Sequence, residues 1–297
     1  MVVSSCSELA FSATDQPRVP RPGNVLMTTP AYFDVQYVIN PHMVGHIGDV
    51  DGAAAQRQWL RLRRAYDDLG FAVHVLDGVE GLSDMVFCAN QTLPVPARGS
   101  HAPRVVMSRM HAVERRGEVP HFEAFFRKAG YAVVHLPDAV EGDFEGMGDG
   151  IWHVGRRLLW GGYGIRSDRS VYDAISEMLD VPVIVLRLVD DDFYHLDTCF
   201  CTLDERTVLI YPGAFDDAGI DLIRTAFDRV IEAPDKEARR MLACNAHCPD
   251  EHHVLIQSGS SVTVNRLRRA GFEPVEVDTS EFLKAGGSVF CMKQMFW

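Results

Sequence analysis

Residues 53–77 read AAAQRQWLRLRRAYDDLGFAVHVLD, and this stretch decides the fold class. Its first part places apolar residues at helical spacing and stops at Gly70, which predicts a helix closed by a glycine C-cap. The letters that follow, FAVHVLD, predict an apolar β-strand. A helix that leads directly into a buried strand indicates an α/β protein.

The same order recurs along the chain. Helices are predicted at 120–130, 171–181, 221–230 and 262–271, and strands follow at 131–137, 182–189 and 272–278. Recurrence at roughly 50-residue spacing indicates repeats of one supersecondary unit. Further short strands, such as VLMTTP, FDVQYVI, DMVFCA, TCFCTLD, TVLIYP and HVLIQS, favour ββαβ-like units around a common centre over a plain doubly wound sheet. We expect one domain over residues 25–297, after a poorly ordered leader over residues 1–24.

The composition narrows the class of protein. The 297 residues are 47% apolar and 24% charged, as in globular proteins. A net charge of −12 argues against nucleic acid or an anionic membrane as the main partner. The leader contains three prolines and no apolar core, so no secretory signal is predicted, and no stretch reaches the length of a membrane span. Seven scattered cysteines fit reduced thiols in the cytosol.

Three segments carry residues suited to catalysis. Cys291 stands in KAGGSVFC near the C-terminus; a cysteine there is either a buried filler or a nucleophile with a base elsewhere. His195 and Asp197 stand two apart, and on a strand they would share one face as an acid–base pair or as a polar surface. Glu145 and Asp149 lie in the glycine-rich EGDFEGMGDG, which is either a functional loop or a solvated acidic one.

Other segments offer binding groups. Asp84 and Asn90 lie on and just after DMVFCA, and the side chains of Arg109 and Arg166 are suited to bidentate pairing with a carboxylate or to simple surface exposure. The segment CNAHCPDEHH (244–253) offers Cys244, His247, Cys248, His252 and His253 as zinc ligands. No second well-spaced pair completes such a site, so a polar turn and no metal are predicted.

The ordered set FEGMGD, HLD and GGSVFC resembles the guanidine-modifying enzymes of the pentein superfamily. The resemblance implies an α/β-propeller of five ββαβ units around a pseudo-fivefold axis. It further implies that Cys291 is the nucleophile, that His195 is the acid–base residue with Asp197 as the following acid, and that Glu145 orients the histidine. Arg109 and Arg166 resemble the arginines that bind the substrate carboxylate. The loop is one residue longer than the common form, which leaves the role of Asp149 open.

One difference between this chain and several members of that superfamily bears on the reaction. Deiminases and dimethylarginine hydrolases carry an aspartate where this chain has Asn90, whereas arginine dihydrolases resemble this chain there and at Asn40. An amide both accepts and donates hydrogen bonds, so the oxygen of Asn90 is expected to hold a guanidinium and its NH2 a ureido oxygen, while Asp84 contacts the guanidine. The expectation is a cytosolic, cofactor-independent cysteine hydrolase that forms ornithine from arginine, with a homodimer possible. The alternatives are a dimethylarginine dimethylaminohydrolase and a non-catalytic binding member of the fold.

Overall fold

The computed structural model describes residues 1–97 and 102–297. Its strands are β1 (Val2–Val3), β2 (Asn24–Thr28), β3 (Ala72–Leu76), β4 (Thr92–Val95), β5 (Arg104–Met107), β6 (Ala132–Val134), β7 (Gly150–Trp152), β8 (Leu159–Tyr163), β9 (Val183–Arg187), β10 (Phe200–Thr202), β11 (Thr207–Ile210), β12 (Arg229–Glu232), β13 (His253–Gln257), β14 (Glu273–Val277) and β15 (Gln294–Phe296). The helices are α1 (Gly52–Asp68), α2 (Val119–Lys128), α3 (Gly146–Asp149), α4 (Val171–Leu179), α5 (Asp217–Ala226), α6 (Asp235–Met241), α7 (Ser261–Arg269) and α8 (Ser280–Leu283).

The opening stretch forms the predicted helix and strand. The side chain of Asp51 caps the first turn of α1 by accepting from the backbone of Ala54, and the buried face carries Trp59 and Tyr66. Gly70 adopts φ +85°, a conformation that other residues rarely take, so the helix ends where glycine permits the turn. The chain then enters β3, which pairs in parallel with β2.

The described strands form five sheets that share one plan. In three of them, β4–β5–β6, β7–β8–β9 and β10–β11–β12, an antiparallel pair is followed by a helix and a parallel strand. In the fourth, β13 and β14 are parallel, and His247 forms an antiparallel bridge to Leu255. In the fifth, β15 pairs antiparallel with β2, so the last strand of the chain completes the first unit. The predicted ββαβ units are confirmed.

The apolar core is continuous across the sheets. One cluster of buried side chains contains Val25 of β2, Leu93 of β4, Ile184 of β9, Leu209 of β11 and Leu255 of β13. Burial of apolar surface on this scale is the main favourable term in folding. The loops at the strand ends are therefore held on a rigid body, which is the setting that a binding site requires.

The first residues differ from the predicted poorly ordered leader. Val2 and Val3 pair in parallel with β9, and the N-terminal ammonium donates to Ser176 Oγ at 2.7 Å. Farther on, Arg18 and Arg21 form ion pairs that reach other parts of the fold. The open edge of β9 offers backbone groups that this short apolar segment satisfies, so these residues have defined contacts where the sequence predicts poor order.

Several segments predicted to be short strands form 3₁₀ turns or irregular backbone instead. Residues 33–39 lie outside regular strands, and Ser83–Val86 and Leu196–Thr198 are 3₁₀ turns. A short, continuous run of apolar residues shows neither the helical nor the strand period, so the sequence alone does not distinguish a strand from a buried turn. None of the helices within residues 1–97 and 102–297 combines the length and apolarity that crossing a bilayer needs.

Candidate active site

Cys291 lies in a buried turn just before β15, rather than on a strand. Its Sγ accepts from the amide of Asn245 at 3.1 Å, and the oxygen of that amide accepts from the backbone of Cys291 at 3.3 Å and of Ser288 at 3.0 Å. The turn requires the preceding glycines: a Cβ on Gly287 would stand 2.2 Å from the ring of Phe87. Asn245 therefore holds the thiol and its backbone in one position.

Asp197 lies directly against the thiol. Its Oδ2 is 3.2 Å from Sγ of Cys291, and its Oδ1 has no hydrogen-bond partner among the described residues. Burial raises the pKa of the Asp197 carboxyl to about 7. Burial, followed by the Asp197 carboxylate, raises the pKa of the Cys291 thiol well above its usual value. Burial and the neighbouring Asp197 therefore both favour the protonated thiol.

Glu145 and His195 form a buried pair. Nε2 of His195 lies 2.6 Å from Oε2 of Glu145, and the backbone N–H of His111 donates to Oε1 at 3.0 Å. Arg166 donates to Oε2 at 3.2 Å. Burial alone would raise the pKa of Glu145, but the hydrogen bond to His195 and the positive charges around it hold that pKa well below its usual range. Glu145 is thus a buried carboxylate that holds the imidazole of His195 by a direct hydrogen bond.

Asp149 supports the same histidine from behind. Its Oδ1 accepts from the backbone of Leu196 at 2.9 Å and its Oδ2 accepts from Ser167 Oγ at 2.6 Å. Burial raises its pKa to about 6. These contacts fix the turn that begins at His195, which gives the extra-long acidic loop a positioning role.

A small pocket, hereafter the cavity, borders the thiol. Its lining residues are Ile39, Asn40, Met43, Asp84, Phe87, Asn90, Arg115, Arg166, Tyr194, Ala285 and Cys291. Oδ1 of Asp84 has no hydrogen-bond partner among the described residues, and burial raises the pKa of this carboxyl. Asn40 donates to the carbonyl of Ala285 at 3.1 Å and caps the turn at 41–43. The structure therefore places Asn40, Asp84, Asn90 and Arg166 around the same pocket as Cys291, the predicted nucleophile.

The orientation of the Asn90 amide follows from its neighbours. Arg115 Nη1 lies 2.9 Å from Oδ1, and because a guanidinium only donates, the oxygen must face Arg115. The NH2 group then faces Nδ1 of His195 at 3.4 Å. This corrects the expectation that the oxygen is the group offered to a guanidinium: the oxygen is already engaged, and the amide presents its donors.

Arg109 does not reach the cavity, which corrects the prediction for this residue. Its guanidinium donates to the carbonyls of Val140 and Gly142, so it anchors the chain that leads into Glu145. Arg115 is the arginine that the sequence reasoning missed; it is buried, ion-paired with Glu118 at 2.9 Å, and lines the cavity. Both arginines lie in the run SRMHAVERRGE, and the i,i+3 spacing of Arg115 and Glu118 was the available signal.

The zinc set considered in residues 244–253 does not assemble as a whole, because of its members only His252 and His253 belong to a group of potential ligands among the described residues. His247 Nδ1 hydrogen-bonds the hydroxyl of Tyr66 at 2.9 Å, and burial lowers the pKa of His247 well below its usual value. Burial likewise raises the pKa of Cys244 and Cys248. Neither cysteine belongs to a group of three potential metal ligands in the part of the chain that the structure describes. The neighbouring Asn245 had no distinguishing sequence signal, yet it holds Cys291 in place.

The comparisons agree with this geometry. A family model described as "N,N dimethylarginine dimethylhydrolase, eukaryotic" matches residues 43–296. The bifunctional arginine dihydrolase/ornithine cyclodeaminase ArgZ of Synechocystis sp. is 37% identical over 278 residues, which is 90% of this chain but 37% of ArgZ. The N(G),N(G)-dimethylarginine dimethylaminohydrolase of Mycobacterium tuberculosis is 38% identical over 92% of this chain and 86% of its own length.

Solved structures extend the likeness to the fold. A substrate-bound variant of the N-terminal domain of ArgZ, an arginine dihydrolase from cyanobacteria, superposes with a TM-score of 0.84 at 37% identity, covering 92% of this chain and 97% of that domain. A dimethylarginine dimethylaminohydrolase adduct with S-methyl-L-thiocitrulline gives a TM-score of 0.76 at 25% identity, over 93% and 100% of the two chains. The predicted pentein fold is confirmed, and the chain belongs to the dimethylarginine dimethylaminohydrolase family.

Proposed function

We propose that the chain is a cysteine-dependent hydrolase that attacks the guanidino carbon of arginine or a close derivative and carries arginine through to ornithine. One observation carries the proposal. A buried thiol lines a pocket together with arginine side chains and the carboxyl of Asp84, whose Oδ1 has no hydrogen-bond partner among the described residues. The Glu145–His195 pair contacts two lining residues, His195 facing the amide of Asn90 and Glu145 accepting from Arg166. A binding protein has no need of this set.

Substrate binding would activate the nucleophile. A guanidinium in the cavity would lie beside Oδ1 of Asp84 and near Sγ of Cys291. Because a nearby positive charge stabilises a thiolate, the bound cation would lower the thiol pKa that burial and Asp197 raise. The thiol would then lose its proton mainly when substrate is present.

The chemistry then runs in two hydrolytic rounds. The thiolate adds to the guanidino carbon, His195 protonates the departing amine, and a covalent amidino-thioether forms. Water activated by His195 displaces the thiol, which gives citrulline and ammonia. A second round at the ureido carbon consumes another water and gives ornithine, carbon dioxide and a second ammonia. The scheme uses no cofactor.

Asn90 supports the second round. Its NH2 group faces Nδ1 of His195 at 3.4 Å because its oxygen is engaged by Arg115, and Asn90 lines the cavity. A ureido oxygen accepts hydrogen bonds, so this donor would retain citrulline where a carboxylate would repel it. Similarity to the cyanobacterial arginine dihydrolases agrees with this, although the chain spans 37% of the length of those bifunctional relatives.

A dimethylarginine dimethylaminohydrolase is the second candidate. The family model and the M. tuberculosis relative favour it, and the same Cys291, His195 and Glu145 would serve. The two differ in the leaving amine and in whether citrulline is released. All seven cysteines are free thiols, which supports a reducing compartment such as the cytosol, and a homodimer stays a prediction.

The test is a product analysis. Purified protein is incubated separately with arginine, dimethylarginine and citrulline, and ornithine, citrulline, ammonia and dimethylamine are each quantified. Ornithine from arginine and from citrulline supports the proposal. Citrulline and dimethylamine from dimethylarginine alone support the second candidate, and no turnover of any of them contradicts both.

A further inference from the structure

Two histidines and a glutamate converge at the surface of the β13–β14 sheet, away from the cavity. His253 begins β13 and pairs across the parallel register with Glu273, which begins β14. His252 precedes His253, and its carbonyl accepts from the backbone of Glu273 at 2.9 Å. Nε2 of His252 and Nε2 of His253 lie 3.5 and 3.7 Å from the same oxygen, Oε2 of Glu273.

These separations suit a metal ion. Zn²⁺ binds imidazole nitrogen and carboxylate oxygen at about 2.0–2.2 Å in tetrahedral sites, so two of its ligand atoms stand ~3.3–3.6 Å apart. The candidate ligand atoms of His252, His253 and Glu273 all lie within 4.8 Å of one another. Only small side-chain rotations would bring the three atoms onto one ion.

Asp250 orients one of the two histidines. Its Oδ2 lies 2.6 Å from Nδ1 of His253, and its Oδ1 accepts from the backbone of His252 and of His253. A carboxylate on Nδ1 leaves the lone pair of Nε2 free for a metal and fixes the ring, which is the arrangement that metal-ligating histidines adopt.

We propose that His252, His253 and Glu273 bind one divalent ion of the zinc class, with solvent completing its coordination. The donor set of two imidazoles and one carboxylate is typical of Zn²⁺ and is accepted by Co²⁺. The ion would join the starts of β13 and β14. His252 and Glu273 are more than half exposed, so ordering them costs free energy, and we expect micromolar rather than tighter affinity.

The test is titration of the Cys291→Ser variant with Zn²⁺ by calorimetry and with Co²⁺ by visible absorption. The substitution removes the thiol of the candidate active site as a competing ligand. We expect one ion per chain, with Co²⁺ bands of nitrogen and oxygen coordination. His253→Ala and Glu273→Gln in this background should each weaken binding at least about tenfold, and Asp250→Asn should weaken it about tenfold because the ring loses its orientation.

The matched control is His135→Ala. His135 lies 3.4 Å from Glu123 in a pair that has no third ligand among residues 1–97 and 102–297, so its loss should leave binding unchanged. Zn²⁺ should also raise the melting temperature of the Cys291→Ser protein, and His253→Ala should abolish that increase. The proposal is overturned if Cys291→Ser binds no stoichiometric ion, or if His253→Ala and Glu273→Gln bind as tightly as their parent.

Discussion

The side-chain amide of Asn90 donates toward Nδ1 of His195 across 3.4 Å. The donation follows from Arg115, which occupies the amide oxygen. An Nδ1 that faces a donor carries a lone pair, so the proton of a neutral imidazole must lie on Nε2, toward Glu145 at 2.6 Å. Residue 90 therefore sets both the donor offered to a ureido oxygen and the tautomer of the candidate acid–base histidine.

Replacing the nucleophile tests the core of the mechanism. Cys291→Ser should lower turnover by at least about 10³-fold, because a hydroxyl without a strong base is a weak nucleophile at neutral pH. The melting temperature should change little, since the two side chains differ by one atom. A haloacetamidine reagent should label Cys291 ahead of the other cysteines in the wild-type protein. Preferential labelling of Cys88 or Cys199, or full activity of the serine variant, would contradict the assignment.

The carboxylate beside the thiol sets its pH dependence. The pKa of Cys291 is raised first by burial and then by Asp197, so Asp197→Asn should lower that pKa. A lower pKa means more thiolate at a given pH, and the pH profile of Cys291 alkylation by iodoacetamide should shift to lower pH. Asp68→Asn, on the exposed face of α1, is the control and should not shift it. If the alkylation profile of Asp197→Asn stays where it is or moves to higher pH, Asp197 does not raise the pKa of the Cys291 thiol.

The glycine turn behind Asn90 should be intolerant of a side chain. A Cβ on Gly148 would stand 2.2 Å from Nδ2 of Asn90 and 3.3 Å from Cγ of His195. Gly148→Ala should therefore lower kcat by about 10–100-fold, because small displacements of catalytic groups carry such costs. Gly52→Ala is the control, since a Cβ there meets nothing within 4 Å. Equal kcat values for the two variants would show that the turn does not set the site.

Substitutions of Arg166 and Arg109 should distinguish an arginine that binds the substrate from one that only supports the backbone. Arg166 lines the cavity, so Arg166→Lys should raise KM for arginine about tenfold or more through loss of bidentate pairing with the α-carboxylate. Arg109 contacts backbone carbonyls outside the cavity, so Arg109→Lys should leave KM near the wild-type value. Steady-state kinetics on both variants make the comparison. A larger increase of KM in Arg109→Lys would restore the original sequence prediction.

Much of the fold could be predicted because helix and strand periods recur along the chain. Helices such as α1 and α4 can be recognised because their apolar residues recur at helical spacing and a glycine or a turn ends them. The strands that follow can be recognised as apolar runs. The turns at 83–86 and 196–198 could not be told from strands, since both are buried runs without a period. The pairing of β1 with β9 is a long-range contact that a two-residue segment does not signal.

Some residues of the candidate site could likewise be predicted from the sequence, and others could not. Cys291, His195 and Glu145 stand in motifs with distinctive glycine and acid spacing, so motif order located them. Arg115 was missed because it shares a basic run with Arg109, and only the path of the backbone decides which one turns inward. Asn245 was missed because its function depends on a contact 46 positions away in the sequence.

Substitution of Asn90 by aspartate tests the central claim most directly. The carboxylate keeps the bond from Arg115 but loses the donor toward His195, and it repels a ureido oxygen. Wild-type protein should turn arginine into ornithine with two ammonia per arginine, whereas Asn90→Asp should accumulate citrulline with one ammonia. The ornithine-to-citrulline ratio at equal arginine consumption is the measurement. A wild-type protein that makes only citrulline, or that acts only on dimethylarginine, would contradict the ornithine-forming account.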